Sequence, residues 1–415
     1  MFAHTVTTRL RWPSVERLAS RPVTLGLVLV CLAGTLLVGA AHKLWCAGAD
    51  WGDGRQYRVG CYTDIIPLFG TEQLSDGRLP YLDRCAPAPT NCDEYPVLTM
   101  YLMRAAGWLS GDRPRPFFWA NALLLAVAAA VTAVSLYLLD PRRALWFALA
   151  PSLALEAFVN WDLLAVGFAA AATFAFVRRR DGWAGALIGL GAAAKLYPAL
   201  LLVPFAADRL RARQPDGAIR LWWSAAAAWL IVDLPFMIGG PHGWWEFFRF
   251  NGARPVDWDS LWTIACRLSA CVSTTVANVG SVVGLLVAIA LVWSAKRRRE
   301  PDFRRWQLAY PLVIAFILSG KVYSPQFSLW LLPWFALVEV DLRRFVAFEV
   351  ADLAVFFTRL SFFAGYTGYG GLPRWVFEAA VLLRAAVLIW CVVGWVRGSS
   401  RSLRPERSRA AAVAA

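Results

Sequence analysis

Histidine and lysine are scarce in this chain of 415 residues. The histidines are His4, His42 and His242, and the lysines are Lys43, Lys195, Lys296 and Lys321. The cysteine-bearing stretch 46–93 holds none of the histidines, so the Cys-His spacing of a zinc site is missing and no metal or other cofactor is expected. A Gly-rich strand–turn–helix pattern is also missing, and no soluble α/β region could hold a sugar nucleotide. Strand-like alternation at barrel spacing does not occur, which argues against a β-barrel. Without a Gly/Ser- or Pro-rich linker the chain reads as one domain.

What it has is apolar surface. Hydrophobic residues make up 59% of the chain, against about 45–50% in soluble domains. They fall in blocks of roughly 15–24 residues, close to the 20 or so that one helical crossing needs. Backbone amides in lipid must be satisfied within the segment, so these blocks are expected to be helices. The fold class is therefore all-α and polytopic, with about 12 spans.

The formal charge of +14 follows the positive-inside rule better than nucleic-acid binding, because it sits in clusters between apolar blocks. Arg178–Arg180, Arg209 to Arg213, Lys296–Arg299 and Arg343–Arg344 are such clusters. Residues 1–22, with Arg9, Arg11, Arg17 and Arg21, read as a cytoplasmic N-terminus. Residues 23–397 form the membrane domain, and 398–415 a basic cytoplasmic tail without fixed structure. Val23–Trp45 is a retained anchor followed by a first extracytoplasmic loop, 46–93, carrying short interfacial helices. A later extracytoplasmic loop covers 240–260. The apolar blocks between include Tyr95–Leu109, Phe117–Leu139, Ala144–Val159, Leu163–Val177, Trp183–Ala194, Leu196–Ala207 and, further on, Phe327–Val340. The excess of arginine over lysine, with abundant alanine, fits a GC-rich bacterial genome and hence a bacterial plasma membrane.

Cysteines gather near the outer segments, where disulfides are expected. Cys85–Cys92 is one candidate pair, although spacing alone leaves the pairing open. Ionisable residues at membrane depth mark function. Asp162 in Asn160-Trp161-Asp162 and Lys195 in the next hairpin sit at outward apices, as does Lys321 in Ser319 to Gln326. His242, Glu246, Arg249, Asp257 and Asp259 share the later loop. Lys195 and Lys321 break the positive-inside pattern, which suits phosphate binding better than snorkelling. Trp244, Trp245 and Trp258 of the same loop could stack on sugar. Asp64 lies in an apolar stretch, Cys61 to Leu68, that reads as a helix on the membrane surface.

The order of these motifs resembles the polyprenyl-phosphate-sugar-dependent membrane glycosyltransferases of the GT-C superfamily. The resemblance rests on the first-loop acid, Gly77-Arg78-Leu79-Pro80-Tyr81, and Glu94-Tyr95-Pro96-Val97-Leu98. Asn160-Trp161-Asp162, Ala194-Lys195-Leu196-Tyr197-Pro198 and the segment Lys321 to Trp330 continue it. Within the superfamily the chain is most similar to glycosyltransferase family 87, an actinobacterial branch containing α-mannosyltransferases of cell-envelope lipids. Two departures are Pro96-Val97 in place of a double proline and an apex without Gly-Gln.

The resemblance implies a donor sugar carried on a polyprenol through one phosphate, transferred with inversion outside the cytoplasm. Asp64 would be the base. Lys195 and Lys321, with Arg249 behind them, would bind the donor phosphate. Glu94, Asn160, Asp162, His242, Tyr323 and Gln326 are candidates for holding substrate. Mannose leads arabinofuranose as the sugar, and the acceptor is a cell-envelope glycolipid or glycan. Membrane lipids are partners and nucleic acid is not. The alternative is a transporter or flippase of a lipid-linked sugar, but the sequence shows no internal repeat of the kind such proteins carry.

Overall fold

Thr24 opens the first helix. Its hydroxyl accepts from Leu27 N at 3.2 Å, and α1 runs Leu25–Ala47. The computed structural model describes residues 23–48, 51–86, 92–111, 113–339 and 341–399, which form helices and turns with no strand among them. The expected N-terminal segment 1–22 and the tail from 400 lie outside the described residues.

The first loop folds into α2 (Arg55–Val59), α3 (Ile65–Thr71) and a 3-10 turn at Leu74–Asp76. Then come α4 (Val97–Ser110), α5 (Pro114–Tyr137), α6 (Ala144–Ala148), α7 (Pro151–Glu156), α8 (Asp162–Val177) and α9 (Asp181–Ala194). A 3-10 turn at Tyr197–Leu201 leads into α10 (Leu202–Arg211) and α11 (Pro215–Gly239). The later loop is largely helical, with α12 (Pro241–Ala253) and α13 (Leu261–Leu268). The chain continues through α14 (Thr274–Arg299), α15 (Ala309–Ser319), α16 (Leu332–Leu337), α17 (Leu342–Ala364) and α18 (Arg374–Arg397).

Helices α1, α5, α11, α14 and α18 are long and apolar enough to cross a membrane. Their surfaces show why lipid is their solvent. Only Ala277 and Lys296 of α14 are buried, while Val276, Val279, Val282, Val283, Leu286, Val287 and Leu291 are exposed. Apolar surface in water is unfavourable by about 25 cal/mol per Å²; in a bilayer that penalty vanishes. The chain is a membrane protein. Lys296 to Arg299 close α14 where the helix dipole favours cations.

Several blocks that read as single crossings are shorter or divided. The 14 residues of α4 rise roughly 21 Å, short of a hydrocarbon core of about 30 Å. Ala144–Val159 splits into α6 and α7 because Pro151, which has no N–H, starts a new helix at its N1 position. Phe327–Val340 splits likewise into a 3-10 turn, Pro325–Trp330, and α16. Between α9 and α10 the backbone of Lys195 is extended, at φ −161° and ψ 138°. These interruptions put polar groups and irregular backbone inside the bundle, where protein rather than lipid satisfies them.

Small residues set the closest helix contact. A Cβ on Gly185 would stand 2.1 Å from Leu221 O, and one on Gly189 would stand 2.2 Å from Ala225 O. Glycine at this four-residue spacing lets α9 lie directly on the backbone of α11. Three disulfides, Cys46–Cys61, Cys85–Cys92 and Cys266–Cys271, tie the loop regions.

Candidate active site

The segment leading to Asp64 is held by backbone partners on the turn after α7. Thr63 Oγ1 donates to Phe158 O at 2.8 Å, and Asp64 N donates to Val159 O at 2.8 Å. This fixes the Asp64 carboxylate beside Asn160. Asn160 Nδ2 donates to Asp64 Oδ2 at 2.9 Å and to the Tyr95 hydroxyl oxygen at 2.6 Å. The Tyr62 hydroxyl donates to Asp64 Oδ1 at 2.5 Å. Burial and the neighbouring Asp64 push the Tyr62 phenol well up, so it stays a proton-bearing donor. Each carboxylate oxygen still has a lone pair free to face a substrate.

Asp64 lines an open cleft of about 460 Å³ together with Tyr62, Arg254, Asp257, Gln326 and Arg359. Arg359 comes from α17 and is held by Asp259 Oδ1 at 2.8 Å. Burial raises the Asp259 carboxyl to about 6 against the pull of Arg359. Arg254 pairs with Asp257 at 3.2 Å. A guanidinium has five N–H donors, so each arginine keeps some for a ligand. The cleft thus brings two carboxylates, Asp64 and the Arg254-paired Asp257, and two guanidinium groups to a common space.

A second constellation lies alongside. Lys195 Nζ pairs with Asp162 Oδ1 at 2.7 Å, and Trp330 Nε1 donates to the same oxygen at 2.6 Å. The ammonium lies 4.9 Å from the Phe327 ring centre, 5.6 Å from Trp330 and 5.7 Å from Tyr95. Tyr95 joins the two groups, since its hydroxyl meets the amide that holds Asp64. Lys195 therefore carries its charge in an aromatic box already neutralised by Asp162.

The other expected residues are spread more widely. Gln326 lines the Asp64 cleft. Lys321 borders it: its carbonyl accepts from Asp257 N at 2.8 Å, and its Nζ donates to Gly252 O at 3.1 Å. Glu94 is half-buried, and burial pushes it to about 7 against Arg254, with Asp64 and Glu246 adding to the rise. Tyr323 turns away into a buried network; Arg384 sits 3.5 Å over its ring, and its hydroxyl meets Ser328 Oγ at 3.2 Å. Arg249 and His242 are exposed on α12 and do not line the cleft. Arg249 is paired with Glu246 at 2.6 Å within its own helix.

A smaller cleft, about 240 Å³, is lined by Tyr81, Trp229, Asp233, Trp244, Phe247 and Phe248. There Trp244 Nε1 donates to Asp233 Oδ1 at 2.9 Å. Among the described residues no three His, Cys, Asp or Glu side chains are placed to hold a metal ion.

Lys43, Tyr62, Arg254 and Arg359 belong to the site's surroundings without having been singled out in sequence. For Lys43 and Arg359 a signal existed: each is a charge within an apolar helix.

Fold and cleft together describe a membrane-embedded helical protein with a polar site set among broken helices. The chain belongs to glycosyltransferase family 87, whose model matches residues 94–325; it is a membrane glycosyltransferase. The match spans Glu94, Asn160, Asp162, Lys195 and Lys321, while Asp64 lies before it. No protein of curated function matches the chain. Among solved structures, ArnT from Cupriavidus metallidurans bound to undecaprenyl phosphate aligns at TM-score 0.48 and 16% identity, over 89% of this chain and 76% of that one. The apo form of the same protein aligns at 0.42 and 15%, over 86% and 75%. Values this low transfer no residue role and no ligand.

Proposed function

We propose that the protein moves a sugar, mannose in the first instance, from a polyprenyl-phosphate carrier to a cell-envelope glycolipid or glycan. The observation that carries this reading is the shared cleft of Asp64, Arg254 and Arg359. A base and anion-binding groups in one open space suit attack by a hydroxyl and departure of a phosphate.

In the reaction the acceptor oxygen forms a bond to the anomeric carbon as the bond from that carbon to the phosphate oxygen breaks. The proton of the acceptor hydroxyl goes to Asp64. The electron pair of the broken bond stays with the polyprenyl phosphate, whose negative charge grows by one. Arg254 and Arg359, with Lys321 at the rim, would stabilise that charge. A single displacement of this kind inverts the anomeric centre. Gln326, which lines the cleft, is an amide for sugar hydroxyls, and Asn160 orients the base. Lys195 and Asp162 support the site as a neutral pair, and this reading gives Arg249, paired with Glu246 on the exposed side of α12, no contact with the donor phosphate.

The reading also includes about 12 crossings, with 23–397 as one membrane domain, both termini in the cytoplasm and the site on the far side. It favours a lipid-linked donor because the described residues offer a cleft among membrane helices and no nucleotide-binding fold.

The test is transfer in native membranes from radiolabelled polyprenyl-phosphate-mannose, comparing wild type with Asp64→Asn at equal expression. Label moving into a lipid or glycan fraction with wild type alone supports the function and the base. Equal transfer by both removes Asp64 from the chemistry. If neither transfers label, from the mannose donor or from its arabinose counterpart, the flippase alternative gains.

A further inference from the structure

Lys43 is fully buried in α1, a helix otherwise suited to lipid. A charge in such a place is expensive unless something uses it. It forms no ion pair among the described residues; its Nζ instead donates to Tyr62 O at 2.5 Å. The side chain of that same tyrosine donates to Asp64 Oδ1. On either side of Lys43 the last turns of α1 grip the same short segment. His42 Nε2 meets Val59 O at 2.7 Å, and Cys46 is bonded to Cys61. Trp51 Nε1 adds a bond to Cys61 O at 3.1 Å. Residues 59, 61 and 62 are thus all anchored to the end of α1 or just beyond it, immediately before Asp64.

We infer that this end of α1 positions the base, with Lys43 acting on Asp64 through Tyr62 and through its own charge. The inference rests on Asp64 being the base. A disulfide alone would tether the segment, so a buried lysine adds something a tether does not: an amine within electrostatic reach of both Asp64 and Glu156 of α7. The groups around Lys43 are Glu156, Asp64, His42 on its own helix and the Phe356 ring of α17 at 6.0 Å. Those around Asp64 are Tyr62, Tyr95, Glu94, Asp162, Arg254, Asp257 and Arg359. Lys43 is the one cation among them that meets no carboxylate directly.

The experiment measures kcat and KM for the donor across pH in full-length wild type, Lys43→Met, Lys43→Arg, Tyr62→Phe and Asp64→Asn. Folding of each is checked by thermal unfolding in detergent. Lys43→Met should lower kcat by about 10- to 100-fold, the cost of a lost charge-assisted contact. Donor KM should stay within about twofold. The acid limb of the kcat profile should move to higher pH, because a carboxylate that loses a nearby cation holds its proton longer. Lys43→Arg should restore most of the rate and the limb. A folded Lys43→Met enzyme with an unmoved limb, or with a change in KM alone, overturns the inference and leaves Lys43 as a partner of Glu156. If Lys43→Met does not fold, Tyr62→Phe decides. It keeps the ring and the carbonyl but loses the donor to Asp64, so a lower kcat and a raised limb support the inference and wild-type kinetics overturn it. Wild-type activity in Asp64→Asn overturns the base itself, a failure distinct from that of Lys43.

Discussion

Asn160 Nδ2 stands 2.9 Å from Asp64 Oδ2, joining the first loop to the apex between α7 and α8 across 96 positions of sequence. The same amide holds Tyr95, which packs edge-on against Trp161 at 5.6 Å and forms one wall of the box around Lys195. One side chain therefore orients the proposed base and couples it to the neighbouring ion pair.

Asn160→Ala should lower kcat by about 10- to 100-fold, the worth of one hydrogen bond to a charged group. Donor KM should hardly change, since Asn160 contacts Asp64, the proposed base, and does not line the cleft. Steady-state transfer from labelled donor separates the two parameters. A rise in KM at constant kcat would show that Asn160 binds the donor instead.

Arginine substitutions should divide by position. Arg254→Gln removes a cation from the Asp64 cleft and should lower kcat/KM by about 100-fold. Arg249→Gln, on the exposed side of α12, should leave the rate within about twofold. Parallel assays of the two variants check this, and an equal loss in both would place the phosphate elsewhere.

Glu94 supplies a pH dependence. Raised to about 7 by burial, it is neutral below that pH and anionic above it. Its ionisation adds a negative charge close to Arg254, a proposed contact of the donor phosphate. Donor KM should therefore rise as pH passes upward through about 7, and Glu94→Gln should flatten that rise. KM measured from pH 6 to 8 in both proteins is the check.

The contact between α9 and α11 should tolerate no side chain at Gly189. Gly189→Val forces its Cβ toward Ala225 O, 2.2 Å away in the present packing. Overpacking of this sort destabilises by about 1–3 kcal/mol. Thermal unfolding in detergent should show a lowered midpoint, whereas Gly182→Ala, with open space around it, should not.

Much of this arrangement is written locally in the chain. Asp64 and Gln326 are polar residues in apolar surroundings, and the structure sets them in one cleft. The Cys85–Cys92 pair is short-range, and it forms. Helices such as α5 and α14 follow from apolar length alone. The contributions of Lys43 and Arg359 are not local. Each lies in a stretch whose average is apolar, and only packing shows that Lys43 meets Tyr62 O and that Arg359 meets Asp259. Conversely, Arg249 reads as a free cation in the outer loop, while in the helix it finds Glu246 one turn away. The breaks at prolines were not legible from hydropathy, which registers how apolar Ala144–Val159 is and not that Pro151 restarts the helix.

Arg359 reaches the cleft from α17, near the far end of the chain, whereas Asp64 is made early. During synthesis the early half of the site waits in the membrane without its late partner. An unfinished or truncated polypeptide ending before α17 would have Asp64 but lack one of the two guanidinium groups of its cleft. The order of residues along the chain thus leaves the cleft incomplete until α17 has been made.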